Sequence, residues 1–249
     1  PGPIAATPEP AGTEAGAAEE PAEEPAEEPA EEPADEPADE PAVEAEEPLL
    51  SDFVDKVSLA LTRFIPKEFL AILDRSSVVE LQLGDHVKRE MTIFFSDIRQ
   101  FTNLSERLTP EESFKFINSY LSRIVPVITA CGGFVDKYMG DAVMALFANE
   151  GGADAAVRAA IEMQKKIVEY NGHRANCGYR PLSMGIGLHT GTLMLGVVGV
   201  EDRMQNTVIS DAVNLASRLE SITKVFNISL VLSEESLNAS EERRVGKEC

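Results

Sequence analysis

The run Met91-Thr92-Ile93-Phe94-Phe95 leads, two residues on, to Asp97. Its aromatic and β-branched content predicts a buried strand. Beyond Asp97 the chain turns polar, and from Thr109 to Ala130 apolar residues recur at helical spacing. A carboxylate therefore stands at the carboxyl end of a strand, just before a helix begins, which is where α/β folds bind ligands. Backbone N–H groups from Arg99 to Thr102 would face an anion held beside it. A carboxylate and an amide nest at one place are reconciled by a metal ion carrying phosphates.

Charge divides the chain. The 249 residues carry a formal net charge of −21, and residues 1–48 hold 17 Asp and Glu with no Lys or Arg. The rest is left with −4, which gives no support to nucleic-acid binding. The unit Glu-Glu-Pro-Ala recurs from Glu19 onward and drifts to Asp-Glu-Pro-Ala near Asp35 and Asp39. Proline at every fourth residue, like charge and scarce apolar content predict a disordered acidic linker over 1–48. About 200 residues remain, enough for one domain with a full core. Cys131, Cys177 and Cys249 are odd in number and show no paired spacing. That suits a reducing compartment and argues against a disulfide framework or a structural zinc site. No apolar run is long enough to cross a membrane, and none reads as a signal peptide. The expected location is cytoplasmic for this portion, with membrane anchoring upstream left open.

Residues 49–86 read as a helical lead-in. Phe53, Val57, Leu61 and Phe64 share a face, Pro66 interrupts, and Phe69, Leu70, Ile72 and Leu73 resume it. A domain over 87–240 follows. Thr109-Pro110-Glu111-Glu112 has the marks of a helix start, with Thr as N-cap and Pro at the first position. Pro126 is expected to bend that helix or end it early. Phe134–Tyr138 and Ala142–Phe147 read as strands around the turn Met139-Gly140-Asp141. Ala153–Tyr170 is an amphipathic helix. Leu182–Leu188 and Leu193–Val198 are expected as two strands either side of a turn at His189-Thr190-Gly191, with His189 as a structural turn residue. A short strand at Gln205–Ile209, a helix at Asp211–Ile222 and a last strand at Ile228–Leu232 complete the pattern. The fold class is α/β (α+β), a ferredoxin-like βαββαβ core with additional α/β elements. Residues 241–249 form an atypical tail.

Two carboxylates stand out, Asp97 at a strand end and Asp141 at a hairpin tip. Either alone would be a solvated turn residue. If their strands pair, both reach one point, and paired Asp beside an amide nest suits two divalent metals holding a polyphosphate. Asn214 and Arg218 share a helix face outside the apolar stripe of Val213, Ala216 and Leu219. Arg offers a fork of donors to a phosphoryl group and Asn can orient a hydroxyl, although spacing alone fits a solvated face equally well. Lys137, on a hairpin strand, has the ordinary reading of a solvated edge charge.

Four segments, Phe94–Thr102, Asp136–Ala145, Gly187–Gly191 and Asp211–Glu220, resemble in order and interval the signatures of the class III nucleotidyl cyclase catalytic domain. The resemblance runs from about Arg89 to about Ser236. The lead-in Leu83–Glu90 is similar to that of bacterial members. It implies that Asp97, Asp141 and the Ile98 carbonyl bind two Mg²⁺ or Mn²⁺ ions. It implies further that the amides of Ile98, Arg99, Gln100, Phe101 and Thr102 hold the triphosphate. Lys137 and Thr207 would read the base, and as a pair they resemble the adenylate cyclase pattern, where guanylate cyclases carry Glu first. Asn214 would position the ribose and Arg218 would stabilise charge at the α-phosphate. The implied protein is an adenylate cyclase acting on ATP, a homodimer with composite sites and an upstream regulatory domain. A guanylate cyclase and a non-catalytic nucleotide-sensing or dimerisation module are the alternatives. Two positions depart from the family pattern. Gly185 stands where many members place a triphosphate-binding Arg, and residues 241–249 do not read as the usual closing strand with its phosphate-binding Lys.

Overall fold

The central strand, β1 (His86–Ile98), alternates its side chains between two cores. Met91, Ile93 and Phe95 enter one and Phe94 and Ile98 the other, so the sequence shows an unbroken apolar run where a one-faced strand would alternate. The computed structural model describes residues 47–148 and 151–240. The expected linker over 1–48, apart from its last two residues, and the tail at 241–249 lie outside the described residues.

β1 pairs antiparallel with β3 (Ala142–Phe147) on one side and β4 (Met184–Val200) on the other. β2 (Gly133–Met139) adds to β3 and β5 (Arg203–Ile209) adds to β4, giving the order β2-β3-β1-β4-β5. A short strand, β6 (Leu230–Leu232), runs parallel to β4. This is the expected βαββαβ arrangement with additions.

Helices α1 (Glu47–Leu61) and α2 (Lys67–Ile72) precede the sheet. Pro66 stands just before α2, whose Phe69 and Leu70 are buried, whereas α1 leaves Phe53 and Val57 exposed. The five-residue α3 (Phe101–Ser105) and the long α4 (Pro110–Ala130) follow β1. The Thr109 side chain accepts from the Glu112 N–H and the Glu112 carboxylate accepts from the Thr109 N–H, a reciprocal cap. Pro126 does not end α4. Ile124 and Ile128 on either side of it are fully buried, and that packing carries the helix through to Ala130 despite the lost hydrogen bond. Tyr120, Ile124 and Ile128 pack with Ala156, Ala160 and Met163 of α5 (Gly152–Asn176) on one face of the sheet. On the other face lie α2 and α6 (Asp211–Phe226). Among the described residues no helix is long and apolar enough to cross a membrane.

The turn expected at His189-Thr190-Gly191 is absent. These residues lie in the middle of β4, opposite Ile93, Thr92 and Met91 of β1. Their polarity is satisfied inside the fold. Thr190 Oγ1 lies 2.9 Å from Thr92 Oγ1, and His189 Nδ1 lies 2.8 Å from Ser233 Oγ. Ser233 also caps α7 (Glu234–Ala239), a helix the sequence patterns missed.

Helix α6 approaches β4 closely because two glycines lie beneath it. A Cβ on Gly187 would stand 2.2 Å from the Glu220 nitrogen and 2.6 Å from the Ala216 carbonyl oxygen. A Cβ on Gly185 would stand 2.1 Å from Thr223 Oγ1. Gly187→Ala should therefore cost about 3 kcal/mol, as an overpacked core does. Gly172→Ala, in the exposed part of α5 with nothing within 4 Å, should add about 0.5–1 kcal/mol. Denaturant unfolding of both variants checks the pair.

Candidate active site

The end of β1 and the tip of the β2–β3 hairpin meet because Ser96 pairs with Val143. One residue beyond that pair stands Asp97. Asp141 precedes β3, after Gly140 has turned the chain at φ +67°. Asp141 Oδ2 accepts from the Ile98 N–H at 3.2 Å. Burial, then a hydrogen bond and charge from Asp97, push the Asp141 carboxyl up to about 7. Two acids crowded at a half-buried strand end raise one pKa in this way when cations do not offset them. Tyr120 is buried close by, its hydroxyl donating to Met184 Sδ. Burial and the charges of Asp141 and Asp97 hold that phenol far above its ordinary range.

One cation does reach the site. Lys224 Nζ of α6 lies 2.5 Å from Asp97 Oδ2 and 3.5 Å from Glu220 Oε1. Arg99 secures the end of the same helix, donating from its guanidinium to the carbonyls of Thr223 and Ile228. Lys224, Glu220 and the Arg99 side chain were not singled out in the sequence. Glu220 and Lys224 are four apart on the helix that carries Asn214 and Arg218, and such a pair reads as a solvated face. Its partner Asp97 is 127 residues away, a separation no local pattern reveals.

The amide nest is narrower than expected. The Ile98 N–H is taken by Asp141, and the Arg99 N–H donates to the Ser183 carbonyl at 2.9 Å. Gln100, in the left-handed conformation at φ 58°, then turns the chain into α3. Gln100, Phe101 and Thr102 carry the remaining amides of the expected set, at a helix start where N–H groups lack intrahelical acceptors.

The other expected residues are placed apart from this pair. Asn214 and Arg218 lie one turn apart on α6, both exposed. Among the described residues neither makes a hydrogen bond or ion pair to Asp97 or Asp141. Lys137 is on β2 and Thr207 on β5, the two ends of the strand order. Lys137 Nζ instead lies 3.3 Å from the buried carboxylate of Asp136, the extra residue where the β2–β3 register shifts.

Hard oxygen ligands at a point short of positive charge, with an ammonium already drawn to one of them, fit a divalent ion such as Mg²⁺ or Mn²⁺. Among the described residues no third His, Cys, Asp or Glu completes a cluster. The remaining ligands would come from backbone carbonyl and bound phosphate.

Removing the Asp97 charge should release part of the strain on its neighbour. In Asp97→Asn the Asp141 carboxyl should titrate below 7, yet above the ordinary carboxylate range, because burial remains. Carboxyl ¹³C NMR measures both values.

A sequence profile described as the adenylate and guanylate cyclase catalytic domain matches residues 85–245. An adenylate cyclase of Anabaena cylindrica is 42% identical over 176 residues, covering 69% of this chain and 35% of that protein. The chain thus spans about a third of that relative's length. A bacterial light-regulated adenylyl cyclase structure is 29% identical with a TM-score of 0.69, covering 81% of this chain and 58% of the other. The guanylyl cyclase Cya2 is 36% identical with a TM-score of 0.56, covering 62% and 79%. With the family profile spanning the sheet and both carboxylates, and solved cyclase domains sharing the fold, the chain belongs to the adenylate and guanylate cyclase catalytic domain family.

Proposed function

We propose that residues 87–240 convert ATP to 3′,5′-cyclic AMP and pyrophosphate, in a homodimer with two composite sites. The observation that carries this is the division of the site. Asp97 and Asp141 converge on one point, while Asn214 and Arg218 stand exposed with no partner among the described residues. A second copy would bring its own Asn214 and Arg218 to these carboxylates.

Asp97, Asp141 and the Ile98 carbonyl would hold two Mg²⁺ or Mn²⁺ ions. Bound there, such ions acidify the ribose 3′-hydroxyl and neutralise phosphate charge. The amides of Gln100, Phe101 and Thr102 orient the triphosphate. The partner subunit's Asn214 holds the ribose so that its 3′-oxygen faces the α-phosphorus. The 3′-oxygen bonds to that phosphorus, its proton passes to solvent water, and the bond to the bridging oxygen breaks with pyrophosphate leaving. The partner subunit's Arg218 meets the charge that develops.

Family membership does not choose the base, since Cya2 is a guanylyl cyclase. Lys137 and Thr207 favour adenine. Lys donates to a ring nitrogen, and Thr accepts from the exocyclic amine. The Anabaena protein, 42% identical, is named an adenylate cyclase. The helical lead-in and acidic linker suit a catalytic unit coupled to an upstream regulatory domain, with the reaction in the cytoplasm.

Purified protein with ATP should form cyclic AMP in Mg²⁺ or Mn²⁺, and Asp97→Ala should lose at least about a hundredfold in rate. Lys137→Glu combined with Thr207→Ser should lower the ATP-over-GTP preference by about tenfold or more, the worth of a bidirectional hydrogen-bond readout. An unchanged preference would overturn the base assignment. A folded dimer making no cyclic nucleotide from either substrate would leave the non-catalytic module as the function.

A further inference from the structure

The carboxylate of Asp97 already has a cation beside it, and the fold is arranged to keep it there. Gly185 is the residue directly across from Asp97 in the β1–β4 register. Without a side chain at 185, α6 settles onto β4, with Thr223 Oγ1 only 2.1 Å from where a Cβ would be. That contact delivers the next residue, Lys224, to the carboxylate end of β1. The Arg99 guanidinium bonds the Thr223 and Ile228 carbonyls, one on each side of Lys224, and so fixes the last turn of α6. Glu220, one turn earlier, is buried, and its Oε1 has Lys224 as its near cation at 3.5 Å while lacking a hydrogen-bond partner. The ammonium is thus held between a buried acid and Asp97, with its side chain still 45% exposed.

We infer that Lys224 is an internal counter-ion that occupies the cation position on Asp97 and must be displaced before a divalent metal can bind there. The inference rests on Asp97 being a metal ligand. A half-exposed ion pair is weak enough to be displaced, so Lys224 sets a threshold and does not block the site. After displacement it stays tethered through Glu220, beside the same carboxylate. The position also accounts for Gly185, because a side chain there would collide with Thr223 and lift Lys224 away from Asp97.

The test is Mn²⁺ binding to the full chain without nucleotide, read by the loss of the free Mn²⁺ EPR signal. Lys224→Met should bind Mn²⁺ about two- to fivefold more tightly than wild type, the range set by a pair of this exposure. Lys224→Arg, which keeps the charge, should bind no more tightly than wild type. Lys224→Gln repeats the measurement should the Met variant fold poorly. Unchanged or weaker binding in the neutral variants, with Asp97→Ala still abolishing the Mn²⁺ site, would overturn the counter-ion role and leave the metal role of Asp97 standing. If Asp97→Ala binds Mn²⁺ as wild type does, the metal role falls and the counter-ion role with it.

Discussion

Everything at this site depends on the pairing of β1 between β3 and β4. That pairing buries Ile93, Phe94 and Phe95 on two faces at once and commits the strand to the centre of the sheet. Burying even one such side chain contributes roughly 1.5–3 kcal/mol, so the register is steeply defined, and a one-residue slip would exchange the two cores. With the register fixed, Asp97 has no freedom about where it stands. Asp141 comes with it, because β3 is the neighbour of β1 and the hairpin turns at Gly140. The electrostatic tension between the two acids is created by hydrophobic packing elsewhere and endured at the strand end.

The sequence reveals those features whose cause is local. The cap at Thr109 and Glu112, the turn at Gly140 and the buried strand before Asp97 each carry their reason within a few residues. The failures have distant causes. His189, Thr190 and Gly191 look like a turn because they are polar and small, but their partners are Thr92, almost a hundred residues earlier, and Ser233, over forty later. Pro126 looks like a helix end, but Ile124 and Ile128 are fixed by the core. Lys224 looks like a surface lysine until the sheet brings Asp97 to it. For the site, the sequence offers candidate residues but does not tell which of them meet in one chain. Asp97 and Asp141 do meet, Asn214 and Arg218 stand apart from them, and two of the five amides assigned to phosphate are already used within the fold.

That separation is itself informative. A single-chain site would gather donors and acceptors around one cavity. Here Asn214 and Arg218 are exposed on α6 and, among the described residues, make no hydrogen bond or ion pair to the acids. In the proposed dimer each half would complete the other, Arg against acid. Two copies related by a twofold axis would satisfy both halves at once and produce two equal sites.

Helix α6 serves both halves. Asn214 lies toward its beginning and Lys224 near its end, about 15 Å apart along the axis at the usual rise per residue. Between them, the helix backbone at Ala216 and Glu220 rests directly on Gly187. The helix is in effect a lever resting on a fulcrum. In the proposed dimer, tilting the Asn214 end would move the end that touches this chain's own Asp97 in the opposite sense. Subunit docking and the state of the acid pair would then be two ends of one rigid body, mechanically coupled without any intervening pathway of side chains.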